Sequence, residues 1–276
     1  MRLGTWNILH ATLLDPSNQS AGFEPLVALH KFAEKISSLN LDLLALQEVD
    51  EGLARSGQGH QLKYLSNETK MLFWSYARTI IGAPGEDWRK AKKHESLINH
   101  HDYHLRATLP AYGIGTLSKL PIAATATLEL GKAPFGLPLA IATGELNKKS
   151  RAKTRFIYVP DEPRLALATI LENEWVIINT HLSFVPFYNH YQLQKIKKWA
   201  KKLGDKIIIL GDFNIPGKIP TWGRGWRELH PGKSYPAWDP KIKFDHIITN
   251  QPYAVKIIPT DTTGYSDHLP LIIEIN

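Results

Sequence analysis

The sequence contains no cysteine among its 276 residues. A disulfide framework and a thiolate metal site are both excluded, and a soft metal centre is disfavoured. No apolar run approaches the roughly 20 residues that a membrane-spanning helix needs. The N-terminus passes straight from Met1 into a strand-like segment ending at Trp6 and Asn7, with no apolar leader. These features predict a cytoplasmic protein, an expectation that an upstream secretion signal would reverse. Internal repeats, low-complexity tracts and Pro/Gly-rich linkers are also absent, so residues 1–276 read as a single domain.

What is present is the balance of a globular chain: 43% hydrophobic and 21% charged residues. The formal net charge of +7 favours anionic partners such as nucleic acid, acidic headgroups or phosphorylated metabolites. Short runs rich in β-branched residues recur: Leu41–Leu46, Ile114–Leu117, Leu165–Leu171, Val176–Asn179, Ile207–Leu210, Ile247–Thr249 and Leu271–Ile275. Each has strand length and is bounded by turn formers. Helical spacing places Leu26, Leu29, Ala33 and Ile36 on one face, and Leu193, Ile196, Ala200 and Leu203 on another. Lys195, Lys197, Lys198, Lys201 and Lys202 are expected on the solvated side of that second helix. A shorter helix is predicted from Gln61 to Met71. Many strands and few helices give an α/β or α+β sandwich of packed sheets flanked by helices. Gly82 to Ala107 and Asn147 to Pro163 fit no regular element and are expected to be functional loops.

Polar residues gather at the strand ends. Asn7, Glu48, His181, Asp212 with Asn214, Asp245, and Asp267 with His268 each flank a predicted strand. Any one of them is explained by a cap or a turn. Six strand ends together are better explained by a shared rim. The residue types suit a hard cation held by oxygen ligands, with Glu48 and Asn7 supplying them. An Asp nearby can orient or deprotonate water, and Asn and His donors can stabilise charge on phosphoryl oxygens.

TWNI at 5–8, LALQEVD at 44–50, YGIGTLSKLPI at 112–122, NTHLS at 179–183, GDFN at 211–214, FDHI at 244–247 and SDHLPL at 266–271 resemble, in order, the motifs of the endonuclease/exonuclease/phosphatase superfamily. The resemblance implies a four-layer sandwich of the deoxyribonuclease-like type, with two mainly antiparallel sheets flanked by helices. It implies a phosphohydrolase using Mg2+ or Mn2+ and direct attack by water. By resemblance, Glu48 is the principal metal ligand, with Asn7 beside it and Asp267 supporting the metal or its waters. Asp212 would orient or activate water, Asn214 and His268 would contact the phosphoryl group, Asp245 would fix His268, and His181 would be the second histidine. His246 is assigned packing.

Leu9, where apurinic-site enzymes commonly carry Asp, and Thr180-His181, where they carry a Tyr-containing motif, disfavour that branch. Arg55 and Arg164 are candidates for substrate binding. The segment containing His94, His100, His101 and His104 is expected to be a basic flap, and Trp222 and Trp226, near Arg224 and Arg227, are expected to pack beneath a loop. The leading expectation is a phosphodiesterase acting on DNA or RNA, with no obligate protein partner. A sphingomyelinase-like or inositol-phosphate esterase is the alternative, and a non-catalytic binding module the third reading. The module is disfavoured because Glu48 and Asp212 are both retained.

Overall fold

Alternation in the run Ile207-Ile208-Ile209-Leu210 sends successive side chains to opposite faces of a strand, and all four are fully buried. A strand buried on both faces must lie in the middle of a layered structure. The computed structural model of the chain has this arrangement, and it describes residues 1–143, 153–223 and 225–275.

The first half contains β1 (Arg2–Asn7), α1 (Pro25–Ser38), β2 (Leu43–Glu51), α2 (Gln61–Thr69), β3 (Phe73–Gly82), β4 (Trp88–Lys90), β5 (Leu97–Asn99), β6 (Ala111–Ser118) and β7 (Ile122–Gly131). After it come β8 (Leu137–Thr143), β9 (Lys153–Val159), β10 (Arg164–Leu171), β11 (Trp175–His181), α3 (Tyr188–Ala200), β12 (Lys206–Asp212), β13 (Arg227–Glu228), β14 (Asp245–Thr249), β15 (Val255–Ile258) and β16 (Leu271–Ile275). One sheet has the order β15-β16-β1-β2-β6-β3-β4, with β5 also paired to β3. The other has the order β13-β14-β12-β11-β10-β7. Both are mainly antiparallel, as expected, but each contains one parallel pair. β1 and β2 are joined through α1, and β11 and β12 through α3. Parallel neighbours require such a crossover, which explains why the helices are few and where they fall.

Three apolar layers result. Phe32, Ala33 and Ile36 of α1 and Leu62 and Leu65 of α2 pack on Trp6, Leu44 and Leu46. Leu193, Ile196 and Ala200 of α3 pack on Ile178, Ile207 and Ile209. Between the sheets lie Leu3, Leu43, Ala45, Ile177, Ile208, Leu210 and Ile247. The order is therefore helix, sheet, sheet, helix.

Several local expectations need correction. Leu26 is 60% exposed, because the apolar stripe of α1 runs through Phe32 instead. Lys197 does not face solvent: its stem is buried, and Nζ donates to the Pro220 carbonyl at 2.6 Å. Burial lowers its pKa to about 8. The segment 82–107 is not structureless, since β4 and β5 fix it to the edge of β3. Part of the second irregular stretch is β9, paired with β8, while 147–152 lie outside the described residues. Among the described residues, no helix is long and apolar enough to cross a membrane.

A buried amide pair helps to fasten the two sheets together, alongside the hydroxyl pair of Ser75 and Thr169 at 3.1 Å. Asn179 of β11 donates from Nδ2 to the carbonyls of Leu46 (3.0 Å) and Gly115 (2.8 Å) in the other sheet. Its Oδ1 accepts from Gln47 Nε2 at 2.7 Å. All of this is buried, so truncation would strand two acceptors and one donor. Asn179→Ala is expected to cost about 2–5 kcal/mol, read as a lower urea midpoint at unchanged m-value.

Candidate active site

The Asn179 contact joins residues adjacent to the chemistry, because Gln47 precedes Glu48 and Asn179 lies two residues before His181. Glu48 does not follow its strand, as the sequence suggests, but sits inside β2 at a bulge. Leu46 faces Gly115 and Val49 faces Gly113, leaving Gln47 and Glu48 opposite a single residue. The backbone of Glu48 is left-handed, with φ of 56°. That conformation is costly for a residue with a side chain, and bulges of this kind re-aim side chains.

From the second sheet come His181 at the end of β11 and Asp212 at the end of β12, which are direct neighbours in register. Their strands approach closely at Gly211, where an added Cβ would lie 1.9 Å from the Thr180 carbonyl oxygen. Asp245 pairs with Asp212 across β14, and His268 lies on the turn before β16.

These side chains meet. Asn7 donates from Nδ2 to Glu48 Oε1 at 2.9 Å and to Asp212 Oδ2 at 3.2 Å. Its own Oδ1 accepts from the Leu9 N–H at 3.1 Å. Asn7, expected as an oxygen ligand, thus presents nitrogen to the two carboxylates and clamps them. The Asn214 N–H donates to Asp212 Oδ1 at 2.9 Å, leaving the Asn214 amide on the rim, where its Nδ2 donates to the Leu182 carbonyl. His181 Nε2 lies 3.6 Å from Asp212 Oδ2, and His268 Nε2 lies 3.8 Å from the same oxygen. His268 Nδ1 pairs with Asp245 Oδ2 at 2.7 Å.

The two histidines are pushed in opposite directions. Burial works against a charged His268, but the carboxylates of Asp245 and Asp212 outweigh it and raise its pKa to about 10. It is therefore an imidazolium at neutral pH, donating Nδ1–H to Asp245. Burial, with Arg164 and His268 nearby, holds His181 well below its usual range and hence neutral. Burial raises Asp212. Burial and the neighbouring Asp267 carboxylate push Glu48 up to about 7, with the Asn7 hydrogen bond opposing.

A cleft of about 620 Å³ opens over this cluster. Arg55 and Arg164 line it with Glu48, Asp212, Asp267 and His268. Arg55 is already engaged, donating to both oxygens of Asp50 at 2.8 and 2.9 Å. Arg164 is buried, its Nη2 lies 3.7 Å from Glu162 Oε2, and its Nε has no partner among the described residues.

His10, Tyr112, Glu162 and Tyr235 also line the cleft and were not singled out from the sequence. His10 sits three residues after Asn7, in a turn where Leu9, His10 and Ala11 all have positive φ. Glu162 lies two residues before Arg164 in the chain. The ring of Tyr235 lies 4.9 Å from that of His268, with no motif to signal it.

His246 is fully buried, bonded through Nδ1 to Glu228 (2.7 Å) and through Nε2 to the Ile215 carbonyl (2.9 Å), consistent with packing. From the histidine-rich segment, Pro84 alone among the described residues reaches the cleft, so it is not a flap over the site. Trp226 packs against the α3 core, Trp222 is 66% exposed, and Arg224 lies outside the described residues.

The sequence profile of the Endonuclease/Exonuclease/phosphatase family matches residues 4–268, and the chain belongs to that family. It is a phosphoester hydrolase. No curated protein sequence matches the chain. Among solved structures it is similar to a mannosyl-6-phosphatase of Bacteroides thetaiotaomicron, with TM-score 0.58 and 13% identity over 100% of this chain and 99% of that one. A family protein of Beutenbergia cavernae gives TM-score 0.62 and 16% identity, covering 100% and 71%. TDP2 of D. rerio, complexed with single-stranded DNA product, gives TM-score 0.55 and 11% identity, covering 100% and 98%. At these identities the likeness establishes the deoxyribonuclease-like sandwich. Enzymes of the family are generally divalent-metal dependent, and Asp212, Asp245 and His268 group closely enough to be considered as ligands. The 2.7 Å bond from His268 to Asp245 makes that trio an ion-paired relay in this structure.

The relay predicts a pH effect. Because the folded-state pKa of His268 is raised, its stabilising contribution is complete below about 6.5 and is lost as pH rises toward 10. Asp245→Asn should lower the His268 titration midpoint in an NMR titration. It should also flatten the decline of unfolding free energy between pH 7 and 10, where the slope from one group is at most about 1.4 kcal/mol per pH unit.

Proposed function

We propose that the chain is a magnesium-dependent phosphodiesterase acting on nucleic acid, with water as the direct nucleophile. The observation that carries this reading is the meeting of Asp212, His268, His181 and the Asn7–Glu48 pair on one side of a single cleft.

The residues fit a hard cation. Glu48 and Asp267 gather negative charge with no lysine or arginine paired to either among the described residues, and the resulting repulsion helps raise Glu48. All-oxygen donors suit Mg2+ or Mn2+ and exclude soft ions. Glu48 and Asp267 would hold the ion, with Asn7 orienting Glu48. A bound cation would neutralise charge building on the phosphoryl oxygens.

The remaining chemistry belongs to the chain. Asp212, fixed through Oδ1 by the Asn214 N–H, keeps Oδ2 within the cluster to accept a proton from attacking water. Imidazolium His268, held by Asp245, donates from Nε2 to a phosphoryl oxygen, and the Asn214 amide does the same from the rim. Neutral His181 is a hydrogen-bond partner beside them. Arg164 lines the cleft, where its guanidinium meets a phosphate. Net positive charge supports a nucleic-acid substrate. So does the likeness to TDP2, whose structure holds a single-stranded DNA product.

A phospholipid or inositol-phosphate ester is the second reading. It is favoured by Arg55, Arg164 and His10 along the same cleft, where a second anionic group could sit.

A hydrolysis panel of supercoiled DNA, single-stranded RNA, sphingomyelin and inositol polyphosphates, run in magnesium and in chelator, tests both readings. Magnesium-dependent cleavage of nucleic acid is expected. Asp212→Asn and His268→Ala should each lower kcat by about 10²–10⁴-fold with circular dichroism unchanged. Near-normal turnover in either folded variant overturns the assigned roles.

A further inference from the structure

Asn214 separates two cavities. One is the catalytic cleft, and the other is an apolar recess of about 380 Å³ that shares Pro186, Asn214 and Pro216 with it. The walls of the recess carry Phe187, Ile219 and Trp222. Phe187 is 90% exposed and Trp222 is 66% exposed. Isolated surface aromatics need no explanation, but two flanking one cavity beside a catalytic rim form a patch.

The recess is a built feature. Phe187 immediately precedes α3 with φ of 66°, a conformation that glycine would adopt at less cost. Asn189 donates from Nδ2 to the Asn214 carbonyl at 2.8 Å, tying the helix wall of the recess to the rim of the cleft. At the low end of the ~300–1,000 Å³ typical of ligand pockets, the recess has room for a planar ring. Beyond Pro216 the next cavity is bordered by lysines. Lys243 is engaged with Glu228 and Lys241 with Asp239, whereas Lys218 and Lys233 have no side-chain partner among the described residues.

Apolar space next to the phosphoryl site, with unspent positive charge beyond it, offers a polynucleotide places for a base and for its backbone. Resting on the nucleic-acid reading above, we infer that Phe187 and Trp222 form a subsite that stacks the nucleobase adjacent to the scissile phosphate. Stacking on aromatic side chains tolerates any base, so the subsite confers affinity for single strands without sequence preference.

The test titrates the full chain, in chelator, with thymidine 5′-monophosphate and with ribose 5-phosphate while tryptophan fluorescence is read. Quenching by the nucleotide but not the sugar phosphate, lost in Trp222→Leu, is expected. Phe187→Ala should weaken nucleotide binding about tenfold. Equal responses to the two ligands, unchanged quenching in Trp222→Leu, or displacement of nucleotide by phospholipid overturns the subsite. Both side chains are exposed, so the variants fold. In parallel, KM is compared for an oligothymidylate and for one with an abasic residue beside the cleaved bond. Each variant should raise KM about tenfold on the first substrate alone, with kcat held. Nucleic-acid cleavage with KM unmoved in both variants removes the subsite and leaves the reading. Nucleotide-specific quenching without nucleic-acid cleavage removes the reading and leaves the subsite.

Discussion

The architecture depends on a buried amide pair. Gln47 and Asn179 come from different sheets, and their bond, with the two carbonyls that Asn179 also serves, fixes how one sheet lies on the other. Apolar packing between sheets is strong but non-directional, so Leu43, Ala45, Ile177 and Ile208 could tolerate small sliding. A fully satisfied polar contact permits one arrangement only. It lies a residue or two from Glu48 and His181. A strongly direction-dependent contact of the interior therefore lies next to the groups that most need fixed geometry.

The cluster beyond it is an electrostatic arrangement more than a set of separate side chains. Burial makes each charge costly, and the charges are then played against each other. Asp245 and Asp212 keep His268 protonated, while His268 and Arg164 help keep His181 neutral. Two identical residue types thereby occupy opposite ionisation states within reach of the same carboxylate oxygen. The charged ring is suited to binding an anion, and the neutral one to exchanging hydrogen bonds.

Much of this was legible in the sequence. Strand cores announced themselves as β-branched runs, and Asp212, Asn214, Asp245 and His268 lie where the strand ends put them. The parts that were not legible depend on register and tertiary contact. A bulge at Gln47–Glu48 leaves no mark on composition, so Glu48 reads as a residue after a strand rather than one inside it. Lys197 looks solvated until the Pro220 carbonyl is found beneath it. Leu26 carries the right period for the core but loses its place to Phe32. Arg55 looks available until Asp50 accepts from its Nε and Nη2. His10 and Tyr235 reach the cleft through turns whose shapes no local pattern specifies.

The left-handed backbone of Glu48 sets stability and activity against each other at a single residue. Glycine there would relieve the conformational cost and remove a half-buried carboxyl group crowded by Asp267. The protein would gain in fold what it lost in chemistry. Sequence libraries selected only for thermal endurance should therefore drift toward glycine at this position, producing sturdy but inert descendants. Selection for turnover would keep the acid and accept the strain.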